Sequence, residues 1–429
     1  MTGGTPPAAA LRHRRATLGS RSFLALWGST TASNLADGLF QVGLPLLALT
    51  LTRSPGLIAA VTFALTLPWL LFALPVGALV DRFDRRRTML AANLLRVAGL
   101  ALLTAAVALG VASLPVLYLV AFVMGIAEVA ADTAAQALLP AVVEREQLER
   151  ANARLLGAQT IANAFAGPSL GGALAGIAVW LALGSSGGFY AVAALGLALL
   201  RGSFRPELGG QRRRLRAEIA EGLHFLLRHR LLRTLAVIVF VMNVGWASWL
   251  AVLVVYAVRP GPVGLSQLGF GLLFTAIGAG GVAGSLITGP ALRLLGRRWA
   301  IGADILGTVA MMATPALTAN RWAIGAAAFV GGVGAMMWTV LVTSIRQQVV
   351  PDRLLGRVSS AFRLFSLGAA PVGSALAGVI AQVADVRAAF AAAAVLSALL
   401  LVPFFAVITN QAVAAATTQP ANPGSPTPE

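Results

Sequence analysis

Three carboxylates lie inside runs of apolar residues where a free acid is expensive: Asp37, Glu128 and Asp132. Asn34, Asp37 and Gln41 are spaced i, i+3 and i+7, so one helix face carries all three. Glu128 and Asp132 are i and i+4, again on one face. Two carboxylates one turn apart disfavour each other's ionisation, so such a pair readily takes up a proton. Proton binding and release is therefore one chemistry open to these residues. Structural ion pairing is the other: Arg96, also inside an apolar run, is positioned to pair with Asp132. For Glu128, near mid-run, pairing and proton carriage both stay open. Asp37 is divided between proton or substrate contact and a gating hydrogen bond.

The elements that hold these residues follow from hydropathy. The 429-residue chain is 58% hydrophobic and only 11% charged, against roughly 25% charged in soluble domains. About 20 apolar residues cross roughly 30 Å of hydrocarbon as a helix. Such runs predict spans at 23–50, 57–79, 89–110, 114–138, 155–183, 186–200, 234–258, 267–290, 299–318, 322–345, 358–383 and 388–408. The fold class is thus an all-α membrane protein with twelve helices. "LALGSSGGFY" is the weak divider expected between the fifth and sixth spans. The first run is too long for a signal peptide and contains Asn34, Asp37 and Gln41. The Pro-, Thr- and Ala-rich stretch 411–429 has the composition of a disordered tail.

Several chemistries are excluded. Lysine is absent, and with it the phosphate-binding loop of an ATPase. Cysteine is absent, so there are no disulfides and no thiolate metal sites. His13, His224 and His229 all fall outside the spans, which leaves no metal site and no intramembrane nucleophile–histidine pair. The expectation is a chain that is not an enzyme and needs no cofactor.

The net charge of +17 comes entirely from arginine. With a cytoplasmic N-terminus, one side receives Arg12, Arg14, Arg15, Arg21, the 81–87 loop, Arg145, Arg150, Arg154, the 201–233 arginines, Arg293, Arg297, Arg298, Arg346, Arg353 and Arg357. The other side receives only Arg53, Arg259, Arg321 and Arg387, while Arg96 and Arg363 fall within spans. This asymmetry is the positive-inside pattern. It predicts a multi-pass protein of the plasma membrane with both termini cytoplasmic. The basic surface then faces anionic lipid headgroups rather than nucleic acid.

The connection 201–233, a linker and an amphipathic helix, divides the chain: cytoplasmic segment 1–22, six-helix bundle 23–200, central loop 201–233, second bundle 234–408 and tail 409–429. The loop "GALVDRFDRRRT" contains Gly77, Asp81, Arg82, Asp84, Arg85 and Arg86. Its spacing recurs in the second half at Gly289, Arg293, Gly296, Arg297 and Arg298, without the acids. Gly77 is expected to allow close helix packing, and Asp81 to face the positive end of a helix. The arginines are expected to anchor the loop at headgroups.

This loop resembles the signature of the major facilitator superfamily, a glycine, an aspartate four residues on and a basic cluster. Twelve spans, a long central loop and a degraded second copy match the same family over nearly the whole chain. The resemblance implies two six-helix bundles facing a central cavity, with this loop latching the halves in the outward-open state. "AGPSLGGALAG", with Gly167, Pro168, Gly171, Gly172 and Gly176, resembles the glycine-proline motif of the family's exporters. "ADTAAQALLPAVVEREQLERANARL" resembles a bacterial exporter subgroup that includes macrolide and siderophore exporters.

Under that resemblance, spans 1 and 4 line the cavity. Asn34, Gln41, Gln159, Asn163, Asn243, Trp246, Trp338 and Thr339 are its candidate wall. Their amide, hydroxyl and aromatic groups suit a bulky amphipathic or cationic solute. Arg363, with Arg96, is an ion-pair candidate, directed toward the first-half loop. The expected function is a monomeric secondary active exporter of small amphipathic molecules, working by proton antiport and alternating access. An importer or facilitator of the same fold, or a non-transporting membrane sensor, is the alternative.

Overall fold

The computed structural model describes residues 20–80, 82–200, 204 and 215–409. The helices are α1 (Arg21–Leu51), α2 (Pro55–Val80), α3 (Arg85–Ala108), α4 (Leu114–Val142), α5 (Leu148–Gln159), α6 (Gly167–Ile177) and α7 (Val179–Leu199) in the first half. The second half has α8 (Leu215–Arg228), α9 (Arg230–Ala257), α10 (Gln267–Leu317), α11 (Arg321–Val349), α12 (Asp352–Val383), α13 (Val386–Ala398) and α14 (Leu401–Val407).

Among the described residues, 10 helices are long and apolar enough to cross a membrane. One of them, α10, has 51 residues. Straight, it would run about 76 Å, more than twice the hydrocarbon thickness. It breaks at Gly296, whose φ of 73° is open to glycine and strained for other residues. Gly284 before the break and Asp304 after it both pack on α11, against Val333 and Gly334, so the two arms lie side by side. The run α5, a π-helical segment Thr160–Ala166 and α6 makes one further interrupted span. These segments restore the twelve spans expected.

The boundary between spans 5 and 6 differs from the sequence reading. The chain breaks at Ala178, which is extended, and α7 starts at Val179. Residues 182–190, "ALGSSGGFY", lie inside α7, where Ser186 donates to the Ala36 carbonyl of α1. Small residues here make a helix–helix contact and not a turn.

Helix starts are capped by side chains. Ser20, Asp84, Asn320 and Asp385 accept from Phe23, Arg87, Trp322 and Ala388 amides, each satisfying a donor that the helix leaves free.

Three apolar clusters set the arrangement of the halves. One joins both halves, with Leu44, Leu47, Leu103 and Leu117 beside Trp249, Leu253, Phe270 and Phe390. It lies where α1 and α9 end and α2, α4 and α10 begin. At the arginine-rich end the halves keep separate clusters. One includes Phe23, Leu138 and Leu197, the other Leu226, Leu341 and Phe404. The apolar packing thus joins the halves at one end and stays within each half at the basic end. The halves also meet along two seams: α6 on the first arm of α10, where Ser169 and Thr275 hydroxyls lie 2.7 Å apart, and α2 on α12.

Candidate functional site

Between the halves lies a cavity of about 470 Å³, lined by Trp69, Glu128, Asp132, Arg346, Ser359, Phe362, Arg363, Ser366 and Leu367. The first half contributes Trp69 from α2 and both acids from α4. The second half contributes Arg346 from α11 and the remainder from α12. Asp132 is exposed to this space and Glu128 is half-buried. The spacing that placed both acids on one face holds, and that face points at the opposite half.

The arginines are held by neighbours other than these acids. Arg363 Nη1 donates to Gln136 Oε1 of α4 at 2.8 Å, and its guanidinium lies 5.5 Å from the Trp69 ring centroid. Arg363 therefore meets the first half through α2 and α4 and not through the 81–87 loop. Arg346 lies 5.0 Å from the Phe362 ring. Sequence reasoning placed Arg346 in a loop; it belongs to the last turn of α11. The signal was present: Arg346 is seven residues beyond Thr339, and Ser359, Arg363 and Ser366 are spaced i, i+4 and i+7. Trp69 had no such signal.

Arg96 is buried and pairs with Asp37, Nη1 to Oδ1 at 3.6 Å, and not with Asp132. Its Nη1 also donates to Ser33 Oγ at 3.2 Å, and its guanidinium stacks 4.9 Å from the Tyr190 ring centroid. The Tyr190 hydroxyl donates to the same Asp37 oxygen. Asp37 is thus fixed by an arginine of α3 and a tyrosine of α7, which leaves Asp132 facing the cavity. Tyr190, inside the predicted span 186–200, carries no spacing signal toward Asp37, because the two meet across different helices.

The eight polar and aromatic wall candidates lie outside the lining of this cavity. Asn34 and Thr339 bond to carbonyls of their own helices, at Thr30 and Ala335. Gln41 and Gln159 are exposed and Asn163 is half-buried. Trp246 packs on Trp249 toward the joined end, and Trp338 is buried within the second half. Asn243 comes nearest: its amide donates at 3.0 Å to Ser366, which does line the cavity. Asp304, which starts the predicted span 299–318 where an acid would cap or orient, caps no helix. It is buried within α10, with neither oxygen hydrogen-bonded.

In the loop, Asp81 lies outside the described residues. Asp84 caps α3 and accepts from the Phe204 amide at 2.8 Å. Arg85 donates to the Ala137 carbonyl at 3.0 Å; Arg86 donates to the Leu197 and Ala198 carbonyls at 2.7 and 2.8 Å. The last two satisfy the negative end of α7. Arg82 is exposed. Gly77 does not pack against a neighbour, contrary to expectation: a methyl group there would meet nothing within 4 Å. The halves are apart at this end, and the space beside Gly77 is correspondingly open.

In the glycine-proline segment the crossing is tight. A methyl on Gly167 would sit 2.6 Å from Gly38 Cα of α1, and one on Gly172 would sit 2.6 Å from the Gln267 carbonyl at the start of α10. Gly171 abuts Leu39, whereas Gly176 is open. Pro168 opens α6 directly after the π-helical segment, which absorbs the register change.

A chain of paired bundles, divided at one end around a charged cavity, has the form of a transporter. It matches the family described as transmembrane secretion effector over residues 14–427. It belongs to the major facilitator superfamily. The transporter is 29% identical over 367 residues to an uncharacterised major facilitator-type transporter, y4rN, of Sinorhizobium fredii, covering 82% of this chain and 86% of the relative. It is 28% identical over 390 residues to the multidrug efflux pump Tap of Mycobacterium tuberculosis, covering 87% and 90%. Its fold resembles the crystal structure of the nucleoside transporter NupG, with a TM-score of 0.72 at 12% identity, covering 90% and 99%. The relatives and fold neighbours are transporters and not enzymes. Among the described residues no group of three or more His, Cys, Asp or Glu side chains is gathered for a metal.

Proposed function

We propose that this transporter is a proton-coupled exporter of small amphipathic molecules at the plasma membrane, with its arginine-rich end in the cytoplasm. The observation that carries the reading is the placement of Glu128 and Asp132 on the wall of a cavity between halves whose apolar packing is shared at one end and separate at the basic end. With that end cytoplasmic, the described conformation is open inward, ready to take a solute from the cell. The solute and a proton then compete for the same two carboxylates. Loading displaces protons inward, the halves close at the basic end and part at the other, and the solute leaves. Protons from outside reoccupy the acids and reset the cycle. The tight α1–α6–α10 crossing supports the exporter side, as does the similarity to a multidrug efflux pump.

The experiment is accumulation of a panel of antibiotics and dyes in a pump-deleted host expressing the chain, with and without an uncoupler. Lower accumulation that is abolished by the uncoupler is expected. Higher accumulation would replace the reading with import, and no difference for any compound with a sensor.

A further inference from the structure

We infer that the cavity between the halves accepts a dipolar solute, one bearing a cationic group toward α4 and an anionic group toward α11 and α12. This rests on the transport reading only in taking the cavity as the substrate site.

The two walls carry opposite charges that stand across the cavity without touching. Glu128 and Asp132 form no ion pair with Arg346 or Arg363. Opposite charges this near ordinarily close into contact unless something holds them. Here the arginines are held by neutral groups. Arg363 is fixed by the Gln136 amide and the Trp69 face. Arg346 lies on the Phe362 face, with its buried Nε bonded to nothing. Both guanidiniums are thereby oriented yet keep donors for an incoming carboxylate, which guanidinium groups bind through paired N–H bonds. Ser366 accepts from Asn243, so its own hydroxyl proton is free to donate.

A monocation would meet only the acid wall and a monoanion only the guanidinium wall. Each leaves a partly buried charge without a partner, which is costly. A dipolar molecule satisfies both walls at once. The volume of about 470 Å³ suits one such molecule, since small-molecule sites run from roughly 300 to 1,000 Å³.

Three dyes of one xanthene scaffold test this: rhodamine 110, which is zwitterionic, its methyl ester rhodamine 123, which is cationic, and fluorescein, which is anionic. Equilibrium binding to the full chain in lipid nanodiscs is read by fluorescence anisotropy. Rhodamine 110 is expected to bind about tenfold tighter than either relative, the scale of one charge-assisted bond. In Arg346→Gln and Arg363→Gln the preference over rhodamine 123 should shrink, because rhodamine 110 loses a partner for its carboxylate while rhodamine 123 no longer leaves that guanidinium unpaired. Equal or tighter binding of rhodamine 123 by the wild-type chain overturns the inference, and so does absence of saturable binding by all three. The wild-type comparison decides even if a variant does not fold. Binding at equilibrium requires neither a gradient nor a direction, so this result is independent of whether export itself is observed.

Discussion

Arg96 of α3 and Asp37 of α1 form an ion pair inside the first half, 3.6 Å apart, with the Tyr190 hydroxyl on the same carboxylate oxygen. Removing one partner leaves the other charge stranded. Arg96→Gln should therefore destabilise the protein by about 3 kcal/mol, the lower part of the range for buried pairs. The lower part applies because the Asp37 side chain keeps 30% exposure. Asp37→Asn, which retains a group able to bond Tyr190, should cost less. The double variant should cost less than the sum of the two, as measured by thermal unfolding in detergent. Strictly additive losses would mean that the two residues act independently.

The contact of α1 with α6 gives a second expectation. A methyl on Gly38 would fall 2.8 Å from the Asn163 carbonyl oxygen and 2.9 Å from Gly167 Cα. These are backbone atoms with no room to yield. Gly38→Ala should cost about 1–3 kcal/mol, the usual penalty of overpacking. Gly176→Ala, with nothing within 4 Å, should be neutral or slightly stabilising. Thermal unfolding of the two variants side by side checks the contrast.

What the sequence made legible is instructive at particular residues. Hydropathy located the spans, because lipid demands long apolar helices regardless of their partners. The i, i+4 spacing of Glu128 and Asp132 located one wall of the cavity. Of the second wall, Arg363 stood out as a charge inside a span, whereas Arg346 was missed because it sits at a helix end, where composition alone reads as a loop anchor. The Asp37–Arg96–Tyr190 cluster was illegible for another reason. It joins three helices, and spacing along one helix says nothing about its neighbours. Gly38 was invisible likewise, since its role exists only opposite Gly167.

The 81–87 loop gives a prediction that separates states. Gly77 faces open space while the halves are apart. If this loop latches the opposite conformation, Gly77→Leu should leave folding intact yet abolish transport. Asp81→Asn should do the same. Transport in cells and thermal stability of purified protein, measured together, test both. Full activity of both variants would reduce the loop to the anchoring seen for Arg85 and Arg86.

At the joined end, Gln382 Oε1 of α12 accepts from the Ser54 hydroxyl at 2.6 Å and faces the Gly56 amide at 3.4 Å. The chain has no native cysteine. A Gly56→Cys/Gln382→Cys variant, whose Cβ atoms would lie about 3.3 Å apart, should therefore cross-link under oxidation. Cross-linking should stop transport and reduction should restore it, because the seam must part during the cycle. Unimpaired transport by the cross-linked protein would mean that this end stays closed throughout.

The last prediction concerns which acid exchanges the proton. Asp37 is held by Arg96 and Tyr190, so its charge is already balanced. Glu128 and Asp132 line the cavity and form no contact ion pair. Each proton on this pair relieves the repulsion between two carboxylates one turn apart, and each arriving cationic group does the same. Substrate and proton therefore exclude one another, and adding substrate to purified protein in weak buffer should release protons. Glu128→Gln mimics the protonated acid and should abolish most of that release and all uphill export, while a solute already inside should still bind. Asp132→Asn should reduce release in part, because Asp132 is the more exposed and stays closer to water. Asp37→Asn should leave release intact and lower stability instead. The measurement is the pH change on substrate addition for the wild type and the three variants. Release unchanged in Glu128→Gln but lost in Asp37→Asn would move the coupling site to the first-half ion pair, and the cavity acids would then serve the solute alone.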